Sequence, residues 1–183
     1  MAKHQAAGRS SGSDGELEAL GRLEGTWEQF GEIQGSAAER RAREIIDANL
    51  YMVLGTADPS GRPWTSPVYF AHLDYREFIW VSVPDVRHSR NIASRPDVSA
   101  VIFDSTAEIG TGKGVYISAV AHTLTGSDAE SGIAVYSDRS LSHGGNPWTV
   151  EDVQTPAFLR LFGATVIDLY VLGDDDRRVP VEL

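Results

Sequence analysis

The chain has 183 residues, 42% of them hydrophobic, and 26 acidic against 16 basic side chains give a net charge of −10; cysteine is absent. That length suits one ordinary domain burying roughly 70% of its extended-chain surface, and the composition excludes disulfides, thiolate metal sites and a cysteine nucleophile. The acidic balance argues against a nucleic-acid partner, which needs a basic footprint. No apolar run nears the roughly 18 residues of a membrane span, and no signal-peptide core opens the chain. A cytoplasmic protein without a membrane partner is the expectation.

Residues 1–12 read as a disordered tail of small residues, and 13–183 as one domain whose first part, 13–49, supplies N-terminal helices. A capping box at Ser13–Glu16 opens a weak helical pattern through Leu17, Leu20, Leu23, Trp27 and Phe30. A second box, Ser36–Glu39, opens a better one with Ala38, Ala42, Ile45 and Ile46 on one face and Asn49 as its stop. Both helices are expected only to pack.

From Tyr51 the pattern changes to strands. Tyr51–Ala57 is a short apolar run, and Asp58-Pro-Ser-Gly-Arg62 is a turn in which proline presets φ and glycine permits a positive one. Pro63–Ala71 and Glu77–Val83 are rich in aromatic and β-branched residues, with a turn over His72–Arg76 between them. Asp85 is placed to cap a short basic helix over Val86–Ser94, which Pro96 ends. Val98–Phe103 and Gly114–Leu124 are strands joined by a glycine-containing loop. A capping box at Ser127–Glu130 opens a helix running towards Leu141, and a short helical turn follows at Thr149–Val153. Thr155-Pro156 is placed to start another turn. Leu159–Leu172 is the last long strand, with a possible kink at Gly163, before a charged turn at Gly173–Arg178. About six strands in hairpin order, with helices inserted between them, predict a mainly β fold: a small, mostly antiparallel barrel with flanking helices.

Most familiar chemistries find no support in this sequence. The five histidines, His4, His72, His88, His122 and His143, are nowhere spaced to share an ion, so no metal site is expected. No nucleophile elbow is present. Gly110-Thr-Gly-Lys-Gly114 lacks the spacing of a phosphate loop and enters a strand where such a loop would open a helix. The basic helix is the better candidate. Arg87, Arg90, Asn91 and Ser94 recur at helical spacing with His88 beside them, and guanidinium groups near free helix amides suit a phosphate. A merely solvated basic helix would give the same pattern. The aromatic residues Trp64, Tyr69, Phe78 and Trp80 are expected in the core.

Three segments together carry a family resemblance: Thr56-Ala-Asp-Pro-Ser-Gly-Arg-Pro-Trp-Thr-Ser-Pro-Val68, Phe78-Ile-Trp-Val-Ser82, and Arg87-His-Ser-Arg-Asn-Ile-Ala-Ser-Arg-Pro-Asp-Val-Ser99. They resemble the pyridoxamine 5′-phosphate oxidase-like proteins, FMN-binding split β-barrels, over residues 40–125. The resemblance implies that Ser66, Pro67 and Val68 run beside the flavin ring and that Val81 and Ser82 lie near the ring or ribityl chain. It implies that Arg87 and His88 grip the flavin phosphate, that Gly114 touches the ring from the other side, and that Tyr170 packs on a partner's flavin. It further implies a homodimer with FMN at the interface, an oxidoreductase acting on a small organic substrate, and no catalytic acid or base from the protein. A non-catalytic flavin-, deazaflavin- or haem-binding protein on the same barrel is the alternative. The vitamin B6 enzyme carries lysine at the position of His88, arginine at that of Ser66 and a C-terminal Arg-x-His segment that is absent here. The resemblance therefore implies a relative of that enzyme and not the enzyme.

Overall fold

The computed structural model describes residues 37–182; the tail over 1–12, the helix expected from Ser13 and the cap at Ser36 lie outside them. The described chain opens with helix α1, residues 37–48. Its stop is the expected one, since the Asn49 side-chain amide donates to Ile45 O at 2.7 Å and satisfies a terminal carbonyl. Ala38, Ala42 and Ile46 line its buried face at helical spacing.

Eight strands follow: β1 (Tyr51–Ala57), β2 (Pro63–Tyr69), β3 (Ala71–Leu73), β4 (Glu77–Ser82), β5 (Asp97–Phe103), β6 (Gly114–Thr123), β7 (Arg160–Leu172) and β8 (Arg178–Pro180). Helix α2 (Arg87–Ser94) lies between β4 and β5, and α3 (Gly126–Ser142) between β6 and β7. All strand pairs are antiparallel, in the order β2-β1-β5-β6-β7-β4-β3, with β8 on β7. The sheet curls into a split barrel with flanking helices. Two short strands, β3 and β8, raise the count above the expected six: β3 runs from the end of the expected Pro63–Ala71 strand into the expected turn, and β8 starts where the expected charged turn ends.

Alternation sorts the side chains to two faces. Met52, Leu54, Val68, Phe70, Phe78, Trp80, Ile102, Ile117 and Phe162 fill the inside together with α1. Ile79 and Leu161, on the opposite face, pack with Leu124, Ile133 and Tyr136 under α3. Phe78 and Trp80 are core as expected, at 1% and 0% exposure, but Trp64 is 40% exposed.

The curl does not close between β2 and β4. β2 is an edge strand carrying Pro63 and Pro67, and proline has no N–H to lend a neighbouring strand. The turn before β2 forms as its sequence dictates: Asp58 Oδ1 accepts from Ser60 N (2.9 Å) and Arg62 N (3.0 Å), and Gly61 has φ +85°.

Several local expectations are corrected. Asp85 does not cap α2; its carboxylate pairs with Arg90 at 3.1 Å, and the cap position is Val86, without a side-chain bond. Helix α3 starts at Gly126, ahead of the expected Ser127 box. β7 stays paired through Gly163, and its irregularity falls opposite Ser118/Ala119, where the extra residue Ile167 is turned out at 59% exposure. Thr155-Pro156 sits in a non-helical turn.

Candidate functional site

The open seam between β2 and β4 is where the chemistry gathers. Ser66 lies two residues from core Val68, and Ser82 two residues from core Trp80, so both hydroxyls face inwards at the same rim. His88, in the first turn of α2, spans the seam: its Nε2 is 2.8 Å from Ser82 Oγ and its Nδ1 is 3.2 Å from Ser66 Oγ. Trp64 Nε1 donates to Ser66 Oγ at 3.1 Å. An indole can only donate, which leaves the Ser66 proton for His88 Nδ1 and lets Nε2–H donate to Ser82. In that direction the Ser82 hydroxyl keeps its own proton for an outside acceptor.

The Arg87 guanidinium lies over the Trp64 ring, 4.4 Å from its centroid. Among the described residues no carboxylate hydrogen-bonds to Ser66, Ser82, Arg87 or His88. Burial holds the His88 imidazole below its ordinary pKa of 6.5. At neutral pH the cluster thus carries one fixed positive charge and a neutral imidazole.

Helix α2 is anchored from below. Asn91, 4% exposed, donates to Thr56 Oγ1 at 3.0 Å, and Thr56 donates to Trp64 O at 3.3 Å. This ties the helix to β1 and β2 and fixes where Arg87 and His88 emerge. Ser89 Oγ in the same helix and Trp80 Nε1 are buried donors without a partner. Arg90, by contrast, points away and pairs with Asp85, so the basic face divides.

The nine residues expected at the site fall into separate groups. Ser66, Ser82, Arg87 and His88 meet at the rim. Val68 lies deeper in the core at 8% exposure. Val81 faces the other way, packed against the α3 cluster. Pro67 is on the outer face, in register with Val53, Val101, Tyr116, Tyr170 and Pro180 across six strands. Gly114 neighbours that row beside Phe103, and an added Cβ there would meet Ile102 O at 3.6 Å, an ordinary contact. Tyr170 is four strands from Pro67, roughly 19 Å away at 4.8 Å per strand. One chain therefore does not bring Tyr170 and Gly114 to the rim cluster.

Among the described residues nothing covers the outer row, and it is unusually apolar for such a face. Tyr51 and Phe103 are 60% and 44% exposed, and Val53, Val101, Tyr116 and Tyr170 are half-buried. Arg178 lies over the Tyr116 ring at 4.2 Å.

Sequence reading missed Trp64, which it placed in the core, and Thr56. The signal for Trp64 was there: Trp64 and Ser66 are i and i+2 on a strand with prolines on either side, so they share a face at an edge.

Comparison with known proteins agrees with this architecture. The family model described as pyridoxamine 5′-phosphate oxidase matches residues 38–159, more than half of the chain. No curated protein matches the sequence. Among solved structures, a haem-binding protein from Mycobacterium smegmatis superposes with a TM-score of 0.63 at 19% identity, over 77% of this chain and 56% of that one. HutZ, the haem storage protein from Vibrio cholerae, gives 0.58 at 21% identity, over 73% and 94%. ChuZ from Campylobacter jejuni gives 0.63 at 15% identity, over 79% and 58%. The chain thus spans little more than half of the Mycobacterium and Campylobacter proteins, and at these identities the likeness is one of fold. With the matched segment covering α1 through α3, the rim helix included, the chain belongs to the pyridoxamine 5′-phosphate oxidase-like family of split barrels.

Proposed function

We propose that this protein binds FMN at the seam and works as a flavin-dependent oxidoreductase on a small organic substrate. The observation that carries the reading is the carboxylate-free convergence of the Ser66 and Ser82 hydroxyls, the His88 imidazole and the Arg87 guanidinium at the N-terminus of α2. The Arg87 guanidinium and the Ser82 hydroxyl, the donors this cluster leaves free, beside free helix amides fit a phosphate monoester. Bound flavin supplies hydride transfer. Arg87 and the Ser82 hydroxyl hold the phosphate, and the Asn91–Thr56 contact keeps α2 in place. Pro67, on the other side of the same edge strand, would be available to the ring of a bound flavin at the apolar outer row. A two-fold homodimer through that row is the arrangement in which Pro67 of one copy and Tyr170 of the other line one site. Without the arginine and lysine that the vitamin B6 enzyme carries at the positions of Ser66 and His88, the site is poorly suited to pyridoxamine phosphate.

A second reading is a haem-binding or deazaflavin-binding protein without turnover. The neighbours named for haem binding and storage favour the haem form, and His88, with both ring nitrogens in neutral surroundings, is the chain's candidate for it.

An absorbance spectrum of the purified protein, with the released chromophore identified by chromatography, separates these. Flavin bands are expected, or their appearance after FMN is added, with Arg87→Ala weakening uptake by about tenfold or more. A Soret band moves the protein to the haem reading. A colourless protein that takes up neither group ends both.

A further inference from the structure

Arg160 opens β7 directly opposite Ser82 of β4 in the antiparallel register. Directly paired residues put their side chains on the same face, about 5 Å apart at Cβ, and Ser82 is the residue that touches His88. Phe162, two residues on, is stacked on Trp80 inside the barrel, which confirms that Arg160 belongs to the inner rim. Its guanidinium has neutral acceptors only: Nη1 donates to Ala157 O at 2.7 Å and to Leu159 O at 2.6 Å, and Nη2 to Thr155 Oγ1 at 3.0 Å. Among the described residues no carboxylate pairs with it. A part-buried cation without a carboxylate partner, at a rim that already holds a guanidinium and two hydroxyls, has its charge free for an anion.

We infer that Arg160 is a second anion-binding residue of the seam, sharing with Arg87 the phosphate of the bound ligand. The inference rests on the phosphate reading of the site. It places a positive charge on the β4–β7 side of the seam, across from Arg87 on the β2 side. The family's arginine at the position of Ser66 is thereby offset from another strand. The loop over 155–159, which Arg160 holds, sits at the same rim with Phe158 exposed at 75%.

The test compares the full chain with Arg160→Gln and Thr155→Val, each checked for an unchanged circular dichroism spectrum. FMN and riboflavin, which lacks the phosphate, are titrated into each. Arg160→Gln is expected to lose about tenfold or more in FMN affinity with riboflavin affinity unchanged, and Thr155→Val, which frees the loop but keeps the charge, to bind FMN normally. Equal losses for FMN and riboflavin, no loss at all, or the same loss in Thr155→Val each overturn the assignment. If the parent chain takes no flavin, the functional reading fails separately, and inorganic phosphate titrated calorimetrically becomes the probe. A tenfold weaker phosphate site in Arg160→Gln then sustains the inference, while unchanged binding or none in the parent chain ends it.

Discussion

His88 carries the most chemistry per atom in this molecule, and its environment has a consequence for stability. Burial disfavours its charged form, so the folded pKa lies below the ordinary 6.5. The same holds for His72, where burial outweighs the Asp47 carboxylate 3.2 Å away. Below pH 6.5 the unfolded chain therefore binds protons that the folded chain refuses, and linkage makes stability fall as the pH drops through this window. Above it the contribution is fully present. Asp58 and Asp104, held low by hydroxyl and amide donors, lose their contributions only below about pH 4 and do not blur the effect. Thermal unfolding followed from pH 7.5 to 5.5 should show a falling midpoint, with a shallower fall in His88→Gln, His72 supplying the rest. A flat or rising midpoint in the parent chain would rule out buried neutral histidines. If FMN binds as proposed, saturating it should also flatten the curve, because a phosphate beside His88 would favour its charged form.

At the scale of elements, β7 is the strand on which both halves of the barrel depend, since it pairs with β4, β6 and β8. Gly163 sits in its doubly paired stretch, where a Cβ would come 2.9 Å from Leu124 Cδ2 and 2.5 Å from Glu77 Oε1. Glu77 can swing away, but Leu124 is 5% exposed and packed under α3. Gly163→Ala should therefore destabilise the fold by about 1–3 kcal/mol, as overpacking of a filled site does, measurable by urea denaturation; an unchanged midpoint would show that Leu124 has room to move. From sequence this glycine read as a kink, because a lone glycine in an apolar run marks irregularity as readily as close approach. Strands β1, β2, β4, β5 and β6 were legible as apolar, aromatic and β-branched runs between turn residues, as were α2, α3 and the Asp58 turn from their own local signals. β3 and β8 were not: three residues give no period to read, and tertiary pairing alone makes them strands. The site was legible in part. Arg87, His88, Ser66 and Ser82 meet, but only the curl of the sheet reveals that Pro67 and Val81 face away from them, and only the β4–β7 register places Arg160 opposite Ser82.

For the whole molecule the open question is what covers the outer face. The row from Pro67 through Val53, Val101 and Tyr116 to Tyr170 crosses the sheet as a strip of apolar and aromatic side chains, with Tyr51 and Phe103 exposed beside it. No described helix lies over it: α1 belongs to the inner core, α2 caps the rim and α3 packs behind β3, β4 and β7. An exposed apolar strip of this kind marks an interaction surface, and one that runs across the sheet centre suits an isologous contact, in which each copy offers the same patch. Val101 lies near the middle of the row, where a charge would be repeated on both sides of a two-fold interface and lose its water there. In the two-fold dimer proposed above, Val101→Lys should leave the fold intact, because the side chain of a lone protein would still reach solvent, yet give a monomer in light scattering where the parent gives a dimer. A monomeric parent would end the dimer reading. If Tyr170 of one copy and Pro67 of the other serve the same flavin, the monomer should lose FMN along with its partner, although no rim residue has changed. A Val101→Lys protein that stays dimeric would place the interface elsewhere, and a monomer that keeps full FMN affinity would confine the site to one chain.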